Sequence, residues 1–528
     1  MAGCFLAWLA LEASFSANTR PNHVVRVGVT LNLKIRAAAF SRKSVNKDIV
    51  GLIPLQVMTM AKATTVPPQS PAASTPAQDE HEQEQLALIN AFLVTVRHFF
   101  GGFTRLFHSI HDPRHPAFTI YPLPAVCFAG LLMFLCRLGS RRQINNLLRG
   151  NSPSGAKFQM LFSVETCPHG DTANVLFSRL LPDEVQEVVC WIIETLIREK
   201  VLDRYRLLGR YFTISVDGTG RLVFPERHCP HCLTRTHNGK TTYYHPVLEA
   251  KLVTPCGFAF SIMTEFVENP GENPTKQDCE LKAFYRLAKR LKQRFPRLPI
   301  CLLLDGLFAG GPTFALCEEY RWKYLVILQE DDLPSVHEEF AALLPLAQEN
   351  HLRFLTGVQR EIQQDFRWMN DISYVDSEKR VHTIAVIECL ETRPDAGGNP
   401  QTTRFKWITN LNVKRNTVIT VANKGGRLRW KIENEGFNVQ KNGGYALEHA
   451  YTRNATASKV FYYLLQVAHI IAQLIERGSP FRKAFPSGVG SAKNIAFRLL
   501  EAWRNFRLTD DQLHHMLSVR IQIRFKPP

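Results

Sequence analysis

A chain of 528 residues is too long for one hydrophobic core and leaves room for roughly two to four domains. Its 45% apolar content excludes a disordered chain. Twelve cysteines, most of them single within apolar runs (Cys136, Cys190, Cys301), exclude a disulfide scaffold and suit a reducing cytoplasm; a net charge of +17 suits a polyanionic partner.

Residues 1–57 carry an apolar stretch at 5–11 with no basic residue ahead of it, which argues against a secretory signal. They read as an over-extended start, with Met58 or Met60 as the natural beginning. Residues 61–85, rich in Pro, Ser, Thr, Ala, Gln and Glu, read as a linker, so 1–85 is expected to be non-globular. Residues 86–209 read as a helical domain. An amphipathic helix at 86–107 is followed by an apolar one at 126–135 (VCFAGLLMFL) and a third at 141–148. Ser140, with Gln143 three residues on, forms a capping-box pattern ahead of Arg141 and Arg142. Helix, Gly139 turn and capped basic helix resemble a helix-turn-helix; a helical hairpin with a charged face is the alternative. The apolar runs 124–138 and 460–475 fall short of about 20 residues, so they read as buried helices and no membrane partner is expected.

Phe212, Ile214 and Val216 alternate with Thr213 and Ser215, the pattern of a strand with one buried face, which delivers Asp217 at its end. In the His/Cys-rich loop that follows, Cys229 and Cys232 have the spacing of half a structural zinc site. His237 and His245 are the candidates to complete it, with His228 and His231 competing; a plain turn with reduced cysteines is the alternative. Strands at 241–253 and 258–267 make an antiparallel meander. A helix at 275–295 shows an apolar stripe of Leu281, Phe284, Leu287 and Leu291. The run 299–305 (PICLLLD) reads as a strand buried on both faces that ends in Asp305. A short helix at 312–320 and a strand at 324–328 complete the unit. Three strands, helix, strand, helix, strand, with an acid after the first and fourth strands, is the element order of the RNase H-like fold. In that fold the first and fourth strands are neighbours, so Asp217 and Asp305 are expected to meet.

Glu330, Asp331 and Asp332 read as a solvated loop. Residues 333–424 read as a helix followed by strands, a β-rich insertion between the first part of the core (210–332) and the second (425–528). Trp368 and Trp407 in it are candidates either for the core or for stacking on a flipped base. In 427–441 (RLRWKIENEGFNVQK), Arg429 and Glu433 are four apart and share a helix face, with Trp430 and Phe437 expected toward the core. Glu435, roughly 200° around the helix from Glu433, would point away. Gly443 and Gly444 end that helix, and helices at 458–477 and 491–507 follow.

The DGT, LLLDG and RWKIENEGFN stretches resemble those of insertion-sequence transposases of the DDE superfamily. More narrowly they are similar to the group whose third acid lies in a Tyr-x2-Arg-x3-Glu-x6-Lys signature. Arg429 and Glu433 match it; Gly426 stands in place of the Tyr, and Gln440 in place of the Lys, with Lys441 next. The resemblance spans 140–477. It implies an α/β chain with an RNase H-like catalytic domain and a β-rich insertion, flanked by an N-terminal helical domain and C-terminal helices. Asp217, Asp305 and Glu433 would hold Mg2+ or Mn2+ for two-metal-ion phosphoryl transfer. Water would free a 3′-OH at a transposon end, and that hydroxyl would attack target DNA. Arg429 would contact phosphate or orient a carboxylate. The implied partner is double-stranded DNA, at transposon ends and target, contacted by Arg141, Arg142 and Lys441. The assembly on DNA would be a homodimer, in a bacterial cytoplasm and on the nucleoid. A nuclease of the same fold without strand transfer, and an inactive DNA-binding remnant, are the alternatives.

Overall fold

Helix α1 (Pro76–Phe100) starts well inside the stretch read as a linker, so the expectation of a non-globular segment up to residue 85 fails at 76–85. The cause is continuity. Leu88, Ile89, Phe92 and Val96 are buried, and the Glu- and Gln-rich run ahead of them consists of good helix formers that extend the same helix. Glu84 on this extension pairs with Arg498 at 2.6 Å. The computed structural model describes residues 76–271 and 274–526; the apolar stretch at 5–11, the alternative starts and the linker up to residue 75 lie outside the described residues.

Helix α2 (Leu123–Leu135) is buried at every position from Ala125 to Leu135. It packs against α3 (Ser152–Phe162), α4 (Gly170–Phe177) and, through Phe128 on Phe92, α1; α5 (Pro182–Arg198) follows in the chain. The capping box expected at Ser140 does not form. Ser140 makes no side-chain cap bond, and 141–148 is one α-turn, Arg141–Gln143, running into a π-turn, Ile144–Leu148. Tertiary bonds win over the local cap: Arg141 reaches the Tyr451 carbonyl at 2.6 Å, and Asn145 accepts from the Gly170 amide at 2.9 Å.

The centre is one mixed sheet of ten strands. They are β1 (Phe212–Phe224), β2 (Leu233–His237), β3 (Lys240–Val253), β4 (Ala259–Phe266), β5 (Ile300–Leu304), β6 (Lys323–Ile327), β7 (His351–Thr356), β8 (Ile362–Val375), β9 (Val381–Pro394) and β10 (Pro400–Thr409). The order is β2-β3-β1-β5-β6-β10-β9-β8-β7, with β4 also on β3. The pairs β1–β5 and β5–β6 are parallel, and the others antiparallel. The chain is therefore a mixed α/β protein. Every residue of β5 is buried, as a parallel strand covered on both faces requires. The crossovers are α6 (Glu280–Arg294) and α7 (Gly311–Tyr320). Helix α6 starts later than the sequence pattern suggests. Gln277 and Asp278 are taken up in bonds to Thr234 and Arg286.

The stretch 333–424 holds α8 (Pro334–Leu343), β7 to β10 and α9 (Val418–Asn423). Its strands extend the central sheet, because Trp407, Ile408 and Thr409 of β10 pair with Ile327, Val326 and Leu325 of β6. Trp368 and Trp407 are 2% and 3% exposed, so both are core residues and neither offers a face to a base. After the 3-10 turn Gly426–Trp430 and the π-turn Ile432–Phe437 come the short α10 (Asn438–Asn442) and then α11 (Ala455–Arg477), α12 (Ala492–Asn505) and α13 (Asp510–Ser518). Among the described residues α11 alone is long and apolar enough to cross a membrane, and 89% of that window is buried inside the fold. It crosses the sheet through polar contacts as well as apolar ones: Tyr462 donates to Glu249 at 2.7 Å and Gln466 accepts from Lys251 at 2.8 Å.

Candidate active site

Asp217 lies within β1 and not at its end, because the strand runs on to Phe224 with β3 paired along it. What stops near Asp217 is the other neighbour. β1 pairs with β5 only from Phe212 opposite Ile300 to Ser215 opposite Leu303, an offset of 88 positions. Asp217 and Asp305 have the same offset, so the register sets them side by side just past the last paired residues. Beyond that point β5 gives way to a 3-10 turn, Gly306–Phe308, capped by Asp305 itself, which accepts from the Leu307 amide at 3.1 Å.

The third side of the site is the segment 426–442. Ser215, two residues before Asp217 and on the same face of β1, donates to the carbonyl of Arg429 at 3.2 Å. That bond seats Arg429, whose Nη1 donates to Asp217 Oδ2 at 3.1 Å; their side chains are 8% and 23% exposed. Burial raises the pKa of Asp217, Arg429 opposes the rise, and the charges of Asp305 and Glu433 add to it. Asp305 and Glu433 thus lie close enough for their charges to be felt at Asp217. Glu435 is directed elsewhere, to Lys431 at 2.8 Å and Arg477 at 3.9 Å.

Trp430 departs from the expectation. It is 51% exposed, with the Arg429 guanidinium 4.3 Å from its ring centre, while Phe437 is fully buried. The segment passes from 3-10 to π geometry, so its side chains do not follow a 3.6-residue period. Both departures from the transposase signature have packing causes. A Cβ on Gly426 would lie 2.6 Å from the indole of Trp407. Gln440 is fully buried and bonds Gln466 at 2.8 Å and His469 at 3.0 Å.

A fourth acid was not legible in the sequence. Glu280, the first residue of α6, sets its carboxylate against Gly218, where any Cβ would collide with it. Its pKa is raised by burial and by the charges of Asp217 and Asp305. The only local hint is the glycine after Asp217, which leaves the space that the carboxylate uses.

Of the residues expected to contact DNA, Arg141 is held by Tyr451, by Gly170 and by Asp171 at 2.9 Å. Lys441 pairs with Glu448 at 3.3 Å. Arg142 is exposed. His237 does not join the cysteines. It sits exposed at the far end of β2 opposite Lys240, about 13 Å along the strand from Leu233. His228 and His245 are the histidines that lie with Cys229. Glu330, Asp331 and Asp332 form a loop in which Asp332 accepts from the Gln329 amide at 3.0 Å and Glu330 lies 3.8 Å from Arg404.

The site is a carboxylate cluster at a break in strand pairing, crossed by one buried guanidinium. Its acids offer carboxylate oxygens, and burial raises the pKa of Asp217 and of Glu280. Among the described residues, the group of His, Cys, Asp and Glu side chains whose ligand atoms all lie within 4.8 Å of one another is His228, Cys229 and His245; the carboxylates here are not drawn together as closely. No protein-family model matches the chain, and no curated protein matches it at a significant level.

Proposed function

We propose that the chain is a DDE-type transposase with an RNase H-like catalytic core, which cleaves transposon ends and joins the freed 3′-OH to target DNA. The observation that carries this reading is the register that sets Asp217 beside Asp305, with Glu433 and Arg429 brought across from the helical segment. The strand order β4-β3-β1-β5-β6, antiparallel for the first three and parallel for the last two, supports the same reading.

Asp217, Asp305 and Glu433 would hold Mg2+ or Mn2+, which when bound polarises phosphoryl oxygens and activates the attacking one. Arg429 keeps the Asp217 carboxylate in one orientation and places a fixed positive charge beside the reacting phosphate. Glu280 adds a second-line carboxylate behind Gly218. The excess of Lys and Arg holds the DNA backbone without regard to sequence.

The test uses DNA carrying the inverted repeats that flank the chain's own gene. End cleavage and strand transfer are expected in Mg2+ or Mn2+ and absent in a chelator. Asp217→Asn, Asp305→Asn and Glu433→Gln should each take cleavage below detection while DNA binding stays intact. Cleavage without joining would favour a nuclease of the same fold. Binding without cleavage in the wild-type chain would favour a DNA-binding remnant.

A further inference from the structure

We propose a structural zinc site formed by Cys229, Cys232, His245 and His228, outside the carboxylate cluster and independent of its function. The Sγ atoms of Cys229 and Cys232 are 3.8 Å apart, and His245 Nε2 lies 3.4 Å from the first and 3.2 Å from the second. A tetrahedron with Zn–S of about 2.3 Å and Zn–N of about 2.0–2.1 Å has an S–S edge of about 3.8 Å and S–N edges of about 3.5 Å. Those three atoms therefore already outline one face of a zinc tetrahedron. The sulfur separation is far beyond the roughly 2.0 Å of a disulfide.

His228 supplies the fourth ligand. Its ligand atom falls within 4.8 Å of those of Cys229 and His245, though not of Cys232, so its ring would move toward that sulfur on binding. The ring is held flat on Phe224, with centroids 4.5 Å apart and planes 7° apart, and its buried Nδ1 has no hydrogen-bond partner. His231 does not join the group; its Nδ1 is bonded to the Asn269 carbonyl at 2.8 Å.

The surroundings are built around the same residues. His245 belongs to β3, opposite Leu222 of β1, while both cysteines lie in the loop leading to β2. Asn269 donates to the Cys232 carbonyl at 2.8 Å and accepts from the Asp278 amide at 3.0 Å, two residues before α6. Zinc at this point would fasten the β1–β2 loop to β3 and, through Asn269, to the segment that enters α6.

The experiment is elemental analysis of the full chain purified from zinc-containing medium, with cobalt substitution as a second readout. About one zinc per chain is expected, along with the intense visible bands of tetrahedral S2N2 cobalt. His245→Ala, His228→Ala and Cys232→Ser should lose or weaken the metal, whereas His237→Ala and His231→Ala should retain it. The wild-type measurement stands even if a cysteine variant does not fold. A wild-type chain without zinc, a weak octahedral cobalt spectrum, equal metal loss in His237→Ala and His245→Ala, or a Cys229–Cys232 disulfide in freshly purified protein would each overturn the proposal.

Discussion

Gly218 and Glu280 form the most exacting contact at the scale of single residues. The carboxylate fits only because residue 218 has no side chain. Gly218→Ala should displace Glu280 and lower cleavage, and Glu280→Gln should lower it by about 10- to 100-fold, the range typical of groups that support a metal-binding set. Single-turnover cleavage alongside a binding assay checks this; loss of binding in step with cleavage would mean misfolding instead. The pH dependence has a definite sign. Glu280 is held above its ordinary value by burial and by Asp217 and Asp305. Its protonated form is thus favoured by folding, a contribution fully present below the ordinary carboxylate pKa and lost as pH rises through the raised value. Without divalent cations, Glu280→Gln should therefore melt above the wild type by a margin that widens with pH. Melting curves across the range from about pH 4 to 8 read this directly, and a gap that narrows with rising pH would contradict it.

The helical segment 426–442 brings Arg429 onto Asp217. It is held by the Ser215 bond to the Arg429 carbonyl, by Arg427 pairing with Glu391 of β9, and by Gln440 between Gln466 and His469. Its glycines are places of close approach: Gly426 meets Trp407, and Gly436 meets the aliphatic part of Lys251. A consequence runs against simple restoration of the signature. Gly426→Tyr forces a large side chain against the indole and should cost about 1–3 kcal/mol or more. Gln440→Lys would bury a charge without a carboxylate partner and leave the Gln466 and His469 bonds unmade, a loss of about 3 kcal/mol or more. Each variant should unfold at lower denaturant than the wild type and should not gain activity. A complete signature in this chain that cleaved faster would show that the packing account is wrong.

On the scale of the whole molecule, the net charge of +17 predicts DNA affinity that falls steeply with salt. For about 6–10 phosphate contacts the loss between 50 and 200 mM is about 10³- to 10⁵-fold, and a nearly flat slope in a titration would remove DNA as the partner. Arg141 is occupied inside the fold. Arg141→Ala should therefore lower thermal stability, with the salt slope changed by less than about one unit.

Local pattern was enough to identify the strand around Asp217, the apolar run before Asp305, the helix of Phe284 and Leu291, and the buried helices at 123–135 and 455–477. In each, burial imposes a period or a continuous apolar run that survives in one dimension. The partner that Arg429 finds, Asp217, lies 212 positions away and was not legible in the motif of Arg429 and Glu433. Other features depend on which residues meet across the fold, and no local period records that. The continuation of β1 past Asp217 comes from β3 running beside it. The exposure of Trp430 comes from the passage between 3-10 and π turns. The burial of Trp368 and Trp407 comes from the four inserted strands extending the sheet beyond β6. The carboxylate of Glu280 arrives from another helix into space that Gly218 leaves open. His228 lies with Cys229 in place of His237 because the pairing of β2 with β3 carries residue 237 away along the strand. Sequence alone determined most of the elements, because burial leaves a period or an apolar run in one dimension; the sheet register and close packing decided which side chains lie near Asp217.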